Sequence, residues 1–391
     1  MFVVKGKSTV FLKEEAIEGV YEAPSAIDAI EVLEDGLSFE YTREEIERNT
    51  LSSTIEVAAS RLGIATVSGS IPTELKAGMS EGVSPKEDLL YKSLLGGKRQ
   101  LIGDIVTLEN NTTTELFIDD ADIDNFSKND IIMVKEAGNF EVRPILEVDA
   151  TIGAAKIVLA IPLSAAPSDN VEIAPYTIYH HSDENPTFST SFYIGGKIKE
   201  TIPGCRALSG SLEGWEGGQT PSMSFNVEAL DLNQEAEEMP SILTPDFSND
   251  ALPPVILNAC IWINQDKIKY NTYSMSMENT KADILNACSP SGKVGSRYTQ
   301  FVTTGEVAPY MDSDNVDRFE SFNQNDDISV FGYAYNPDDN AGEIKNVVAF
   351  WIPQAKITNM PNGDLDGIMT NNISFKSYRK DGEDTVFLGF I

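Results

Sequence analysis

The chain has 391 residues, and its 29 Lys and Arg against 61 Asp and Glu give a formal net charge of −32. Hydrophobic residues make up 41 % of it, which is typical of a folded protein and too many for a disordered acidic tail. So large a negative charge argues against a surface that grips nucleic acid or an anionic membrane, although not against one past which nucleic acid slides.

Most of the chain has the β-rich, alternating pattern of strands separated by Gly, Asn, Asp and Pro. Helical signals are few. Pro85–Leu95 places leucines on one face after Ser84, a suitable N-cap, and Thr280–Ala287 is a second candidate helix. The predicted class is therefore mainly β with one or two helices, and the clearest strands are 37–42, 66–75, 189–198, 222–230 and 347–352.

A segment in the middle of the chain has strands of its own. Residues 101–178 carry 4 basic and 14 acidic residues, the highest density of negative charge in the chain. Turn residues separate its short strands at intervals of about eight to twelve positions, as in small barrels and sandwiches. The sequence predicts a discontinuous main domain, residues 1–100 and 179–391, interrupted by a small inserted β domain at residues 101–178.

A weak internal echo is present. Residues 67–70 and residues 208–211 share the ending Ser-Gly-Ser after an apolar residue. Four positions are too few to establish a repeat, and chance similarity between β segments explains them as well.

The rare residue types argue against catalysis. The two histidines, His180 and His181, are adjacent, and we expect them in a solvated connector rather than in a triad or metal site. Cys205, Cys260 and Cys288 form no C-x-x-C unit, which predicts reduced, mostly buried thiols and leaves a Cys260–Cys288 disulfide open. We therefore predict no enzyme activity, no cofactor and no metal site.

Several short motifs, taken in order, resemble the phage major tail tube protein family. Three precede the middle segment and four follow it, so the resemblance covers about residues 1–100 and 187–391 and leaves the insert outside. The motifs are EGVYEAP at 18–24, DGLSFE at 35–40, GSIPTEL at 69–75, GCRA at 204–207, TPSMSF at 220–225, IPQA at 352–355 and DGIM at 366–369.

The resemblance implies a tail-tube-like β-sandwich or barrel with a flanking helix. Its subunits would form rings, commonly of six, which stack into a tube for genome passage. An acidic lumen would repel DNA, which would pass without specific binding. The implied partners are the protein itself and other tail proteins such as the tape measure, the terminator and the sheath, with no membrane partner. The implied location is the virion tail, after synthesis in the bacterial host cytoplasm.

Two segments are candidate subunit contacts. Residues 46–64 are a predicted connection that is long for a hairpin and too apolar for a disordered loop, so we expect a stacking or neighbour-clasping loop. The apolar C-terminal Thr385–Ile391 should pair as a strand, in its own sheet or with a neighbour. The insert would project outward, because it would block a lumen. The contact candidates are Arg48, Leu51, Ile55, Val57, Arg61, Leu62, Phe387 and Phe390.

Two other functions compete with the tube subunit. One is another tail structural component, such as a baseplate ring or a sheath-associated protein, which copy number per virion would distinguish. The other is a carbohydrate-binding β protein or glycosidase. Trp215, Trp262 and Trp351 are widely separated along the chain, so the sequence offers no aromatic platform beside its acidic pairs.

Overall fold

A computed structural model of the chain describes residues 5–48, 58–136, 138–245, 247, 251–289, 291–311, 317–336, 345–380, 382 and 384–391. Within these residues the protein is mainly β, as the sequence predicts, with large antiparallel sheets and two short α-helices.

The elements fall into three groups along the chain. The first consists of β1 (Thr9–Glu14), β2 (Ala29–Ile30), β3 (Ser38–Arg48), β4 (Ala58–Glu74), α1 (Asp88–Leu95) and β5 (Gly96–Leu101). The insert contains β6 (Ile105–Val106), β7 (Glu115–Phe117), β8 (Ile131–Glu136), β9 (Asn139–Asp149), β10 (Lys156–Leu159) and β11 (Glu172–Ile173). The remainder consists of β12 (Tyr176–His181), β13 (Phe188–Ile194), β14 (Ile198–Glu216), β15 (Ser222–Ala229), β16 (Asn233–Glu235), β17 (Ala259–Ile263), β18 (Asp266–Ile268), β19 (Tyr270–Leu285), β20 (Lys293–Pro309), α2 (Asp317–Gln324), β21 (Asp327–Asn336), β22 (Lys345–Asn359), β23 (Asn362–Leu365), β24 (Ile368–Asn371), β25 (Ile373–Ser377) and β26 (Phe387–Phe390).

The main body contains one arrangement of elements twice. The first half comprises β1, β2, β3, β4, α1, β13, β14 and β15, and the second comprises β17, β18, β19, β20, α2, β21, β22 and β25. Their antiparallel pairings correspond one to one: β1–β2 to β17–β18, β1–β13 to β17–β21, β13–β14 to β21–β22, β14–β15 to β22–β25, β4–β15 to β20–β25, and β3–β4 to β19–β20. Two structurally similar units therefore follow each other in the chain.

The sequence echo at residues 67–70 and 208–211 is not this repeat. Gly69 lies on β4 and Gly210 on β14, which are different strands of the same unit. The matching segments are instead 220–225 and 370–375, which read TPSMSF and TNNISF. Phe225 and Phe375 occupy equivalent buried positions on β15 and β25. Only a few core-facing residues are shared, because many apolar side chains can fill such positions.

The two units join into one eight-strand sheet, in the order β3-β4-β15-β14-β19-β20-β25-β22. The join between them is the pairing of β14 with β19. Behind this sheet lies the main hydrophobic core, which α1 and a second layer formed by β1, β13, β12, β26, β21 and β17 enclose.

The insert covers the far side of that second layer. Its sheet, in the order β6-β11-β8-β9-β10-β7, spans residues 105–173. The flanking strands β5 and β12 pair with each other and belong to the main sheet. Trp262, Phe331 and Trp351 of the main body are buried in one core with Ile132 and Ile157 of the insert. The molecule is therefore layered: eight-strand sheet, main core, second layer, second core, insert.

Two predicted features differ from the structure. Residues 280–285 belong to β19 rather than to a helix, because β20 pairs with them along their whole length. Residues 46–64 are not one long connection: β3 and β4 continue as a paired hairpin out to Arg48 opposite Ala58. The helix predicted at 85–95 is present as α1, although its N-cap is Glu87 rather than Ser84.

The histidines and cysteines also differ in part from expectation. His180 and His181 lie on β12 rather than in a connector, and the His181 ring stacks on Phe301 with 4.4 Å between centroids. All three cysteines are free, so the disulfide that the sequence left open does not form. Only Cys205 is fully buried, and this burial raises the pKa of its thiol to about 12.

Candidate functional site

The outer face of the eight-strand sheet is a surface of small hydroxyl side chains. One row of register neighbours crosses seven of the strands, and a second row one step away crosses five. The first row is Pro72, Ser224, Ser211, Ser276, Thr304, Lys376 and Lys356. The second row is Ser38, Ser70, Asn226, Ser209 and Glu278. We call this surface the serine face.

The serine face results from strict alternation along each strand. Neighbouring positions point the other way, into the main core, where Ile71, Phe225, Met277, Val307 and Phe375 are each at most 1 % exposed. Successive side chains of a strand point to opposite faces, so each apolar core position alternates with a polar surface position. The serine face is therefore the more solvated side of a sheet whose other side packs on the main core.

Neighbouring strands are linked across this face by polar side chains. The Asn226 Nδ2 atom donates a hydrogen bond to Ser209 Oγ at 2.8 Å. The hydroxyl oxygens of Ser70 and Ser224 lie 3.3 Å apart. These pairs use some of the donors and acceptors that the face would otherwise offer to a ligand.

The exposed charge of the serine face is mostly acidic. Its exposed carboxylates are Glu40, Glu213, Glu278 and Glu306. Of the two lysines in its first row, Lys356 pairs with Asp327 at 2.6 Å, and Lys376 is exposed. Lys281, at the end of this face, pairs with Glu228 and Asp283. Burial lowers the pKa of Lys281, but hydrogen bonds to Asp283 and Glu228 outweigh it, so the pKa lies above its usual value.

Two hairpin arms extend from one end of the eight-strand sheet. The β3–β4 arm comes from the first unit and the β19–β20 arm from the second, and the backbone N–H of Ala65 donates to the carbonyl of Ser291 between them at 3.3 Å. A groove of about 560 Å³ lies where the arms meet. Lys293 bridges to Asp283 beside it at 2.7 Å.

A comparison with protein families agrees with this architecture. A family model described as phage tail tube protein matches residues 6–377. The chain belongs to the phage tail tube protein family. The match runs through the insert, which the short motifs had left outside the resemblance. A search of the curated proteins found no match.

In this tail tube protein, three of the predicted contact residues lie on the outer half of the β3–β4 arm. Arg48 ends β3 opposite Ala58, Arg61 lies opposite Ile46, and the Leu62 side chain is 67 % exposed. The structure thus brings Arg48, Arg61 and Leu62 together on one exposed hairpin. The other three candidates in this segment, Leu51, Ile55 and Val57, lie outside the described residues.

The two C-terminal candidates are core residues. Phe387 and Phe390 are each 2 % exposed, and β26 pairs with β12 and β22 of its own chain. The Phe390 ring lies 5.0 Å from Tyr91 between centroids, and the Phe387 ring stacks on His180 at 6.0 Å. Neither side chain has surface left for a neighbouring subunit, so we withdraw both as contact residues.

One acidic cluster is close enough to hold a cation. Carboxylate oxygens of Glu81, Asp104 and Glu172 lie within 4.8 Å of one another in the part of the chain that the structure describes. The ammonium group of Lys135 lies 2.6 Å from Glu81 and 3.0 Å from Glu172. This lysine balances one of the three carboxylate charges and bridges two of the three side chains.

The tryptophans offer no sugar platform. Trp215, Trp262 and Trp351 are all buried, whereas a glycan platform needs exposed rings. Each of the two α-helices in the described ranges has eight residues and is too short to cross a membrane.

Sequence reasoning missed the serine face, although its signal was present. Serines two residues apart occur at Ser209 and Ser211 and at Ser274 and Ser276, with other residues between them. That pattern predicts one polar side for each strand. It does not predict that the strands lie side by side, so the common face appears only in the fold.

Proposed function

We propose that copies of this chain close into rings and that the rings stack into a tail tube whose lumen is lined by the serine face. The observation that supports this most is the eight-strand sheet itself. It has one side that packs on the main core and one solvated side that is rich in hydroxyl groups and acidic. Such a surface suits the wall of a channel for a polyanion.

The chemistry of the serine face favours passage over binding. Duplex DNA carries one negative charge per about 1.7 Å of its axis, so a protein that binds it presents unpaired Lys and Arg. Here Lys281 and Lys356 pair with carboxylates, and four exposed glutamates outnumber the exposed Lys376. Serine and threonine hydroxyls hold water without fixing a phosphate.

The β3–β4 arm is the proposed contact between stacked rings. It projects beyond the sheet, and nearly every side chain of β3 past Phe39 is exposed. A long exposed hairpin with apolar and basic side chains near its end matches a surface that another subunit covers. Arg48, Arg61 and Leu62 are the described residues that we assign to this contact, and Leu51, Ile55 and Val57 stay candidates.

The proposed main domain is discontinuous, at residues 1–100 and 179–391, with the insert at residues 101–178. We propose that this insert faces outward. Two hydrophobic cores and the second layer separate the insert from the serine face. A lumen on the serine face therefore leaves the insert on the outside of the tube. There its acidic surface would keep the tube soluble or meet a sheath, while the tape measure and terminator proteins would meet the tube itself.

The resemblance implies rings that are commonly of six subunits. Six chains meet this number if each chain counts once, and three chains meet it if each of the two units counts. The proposed location is the virion tail, with synthesis in the bacterial host cytoplasm. A baseplate ring remains the competing structural role, because a single ring uses the same contacts as a stacked one.

Electron microscopy of the concentrated purified protein tests the proposal. We expect rings and stacked tubes with an open centre. Labelling of the virion with an antibody against the insert, together with the copy number per virion, separates a tube from a baseplate ring. A protein that stays monomeric under all conditions, or a single ring per virion, would contradict the tube.

A further inference from the structure

The eight-strand sheet ends in two open edges within the described part of the chain. At one end, β3 pairs with β4 alone. At the other end, the pairing of β22 with β21 stops at Lys356, and β23 pairs only with β24. The backbone N–H and C=O groups along such edges are templates for a further strand.

The join between the two units shows how such edges can meet. β14 pairs antiparallel with β19 over residues 209–216, and Ser211 lies opposite Ser276. In the matched topology, β14 corresponds to β22 and β19 corresponds to β3. The last strand of one unit in the sheet order, β14, thus already pairs with the first hairpin of the next unit inside a single chain.

The edge strand β3 lacks the cover that its counterpart has. The matched registers make Leu37 and Phe39 equivalent to Met275 and Met277. The two methionines are 2 % and 0 % exposed beside β14. Leu37 and Phe39 pack against the same core but stay half-buried, with no strand beside them. A strand placed beside β3 would bury them as β14 buries the methionines.

We propose that the two open edges are the two sides of one interface between copies of this chain. The edge formed by the end of β22 and by β23 in one copy pairs antiparallel with β3 of the next copy, in the register of the β14–β19 join. This interface rests on the proposed ring and names the strands that close it.

The register follows from the equivalent rows. Ser211 lies opposite Ser224 on β15, and Asn359 lies opposite the equivalent Ser374 on β25. In the same way, Ser276 lies opposite Thr304 on β20, and Ser38 lies opposite Ser70 on β4. Because Ser70 is the equivalent of Thr304, Ser38 is the equivalent of Ser276. The Ser211–Ser276 neighbours of the intrachain join therefore correspond to Asn359 of one copy and Ser38 of the next.

Cysteine cross-linking tests this pair directly. Within one chain, positions 38 and 359 lie at opposite ends of the sheet, about 34 Å apart along it at the usual strand spacing. A disulfide needs Cα atoms within about 7 Å, so a bond between these positions joins two copies. The test protein carries Ser38→Cys and Asn359→Cys, with the exposed Cys288 replaced by Ser. The matched control carries Thr42→Cys instead of Ser38→Cys, about 13 Å further along β3.

Assembled tubes of the test protein should form a ladder of covalent oligomers under mild oxidation, and the Thr42→Cys control should form at most traces. A mixture of the two single variants should give covalent dimers, which keeps the test valid if the double variant fails to assemble. Tubes without cross-links overturn this interface and leave the proposed function standing. Absence of tubes from the wild-type chain overturns the proposed function as well.

Discussion

Asp130 is a buried carboxylate where the insert meets the main body. It is 1 % exposed, and it accepts hydrogen bonds from the Tyr176 hydroxyl and the Ser127 backbone N–H, each at 2.9 Å. Arg99 Nε lies 3.1 Å away. Burial dominates over these contacts and raises the pKa of Asp130 to about 6. Charging this group at neutral pH therefore weakens the junction between insert and body.

The sign of the pH dependence follows from that shift. A carboxyl whose folded pKa lies above its unfolded pKa contributes stability that is present below the unfolded pKa and is lost as pH rises through the folded pKa, here about 6. We predict that the stability of the Asp130→Asn variant falls less than the stability of the wild type when the pH rises from 5 to 7.5. Thermal unfolding midpoints measure this, with the exposed Asp266→Asn as control. Parallel pH profiles for wild type and Asp130→Asn would contradict the assignment.

Phe390 belongs to the core of the single subunit. Its ring contacts Tyr91 and Tyr179 in the main core. We predict that Phe390→Ala lowers the free energy of unfolding by about 3–5 kcal/mol, the usual cost of deleting a buried phenyl ring. Denaturant unfolding of dilute, unassembled protein measures this. The 58 % exposed Phe319 is the matched control, and Phe319→Ala should change stability little. Equal effects would return Phe390 to the list of subunit contacts.

The β3–β4 arm is the element whose removal should separate ring closure from stacking. Arg61 and Leu62 are both exposed on its outer half. We predict that the double variant Arg61→Glu, Leu62→Glu folds and forms rings but no long tubes. Negative-stain images would show discs. Ile152→Glu, at a position that is 91 % exposed in the insert, is the control and should leave tube length unchanged. Full-length tubes from the arm variant would show that stacking uses another surface.

Local pattern predicted most elements and failed where a partner strand decided the outcome. The leucine spacing of 85–95 predicts α1 because a helix buries one face against a core by itself. Thr280–Ala287 has similar local character, yet residues 280–285 are strand because β20 supplies hydrogen-bond partners. The hairpin ends at residues 46–48 and 59–62 lack the burial alternation of a half-covered strand, since both of their faces meet solvent.

At the scale of the whole molecule, the charge of the serine face should decide what the tube lets pass. We predict that tubes with Glu278→Lys and Glu306→Lys retain duplex DNA at low salt and release it as salt rises, because each phosphate contact adds a counterion-release term. Filter retention at increasing salt measures this. The control, Glu109→Lys with Glu147→Lys on the insert, has the same net charge but should not retain DNA in the lumen. Equal retention by both variants would place the serine face outside the lumen.

The doubling of the main body lay beyond what the sequence could predict. The two units share Ser224 and Phe225 with Ser374 and Phe375, while most other equivalent positions differ. A sheet constrains polarity and volume rather than identity, so pairing order survives after sequence similarity is lost. The sequence singled out the middle segment because its turns, strands and charge differ from those of the flanks. It did not predict that this segment shares a core with the main body, because Trp262 and Trp351 look like ordinary core residues in sequence.

The doubled sheet also bears on the number of chains in a ring. Each chain contributes eight adjacent strands. With strands about 4.8 Å apart and tilted by about 40°, three chains close a barrel about 48 Å across and six chains one about 96 Å across. The smaller barrel, lined by short serine and threonine side chains, already admits a duplex, and its three chains contribute six units, as many as the subunits that the resemblance implies for a ring.

We therefore predict three chains per ring. End-on class averages should show three-fold symmetry with six similar lobes at the inner wall and three inserts at the rim. Mass alone does not decide, because two stacked rings of three 42.7 kDa chains weigh as much as one ring of six. Six inserts around a single ring would contradict the prediction, since each insert marks one chain while each inner lobe marks one unit.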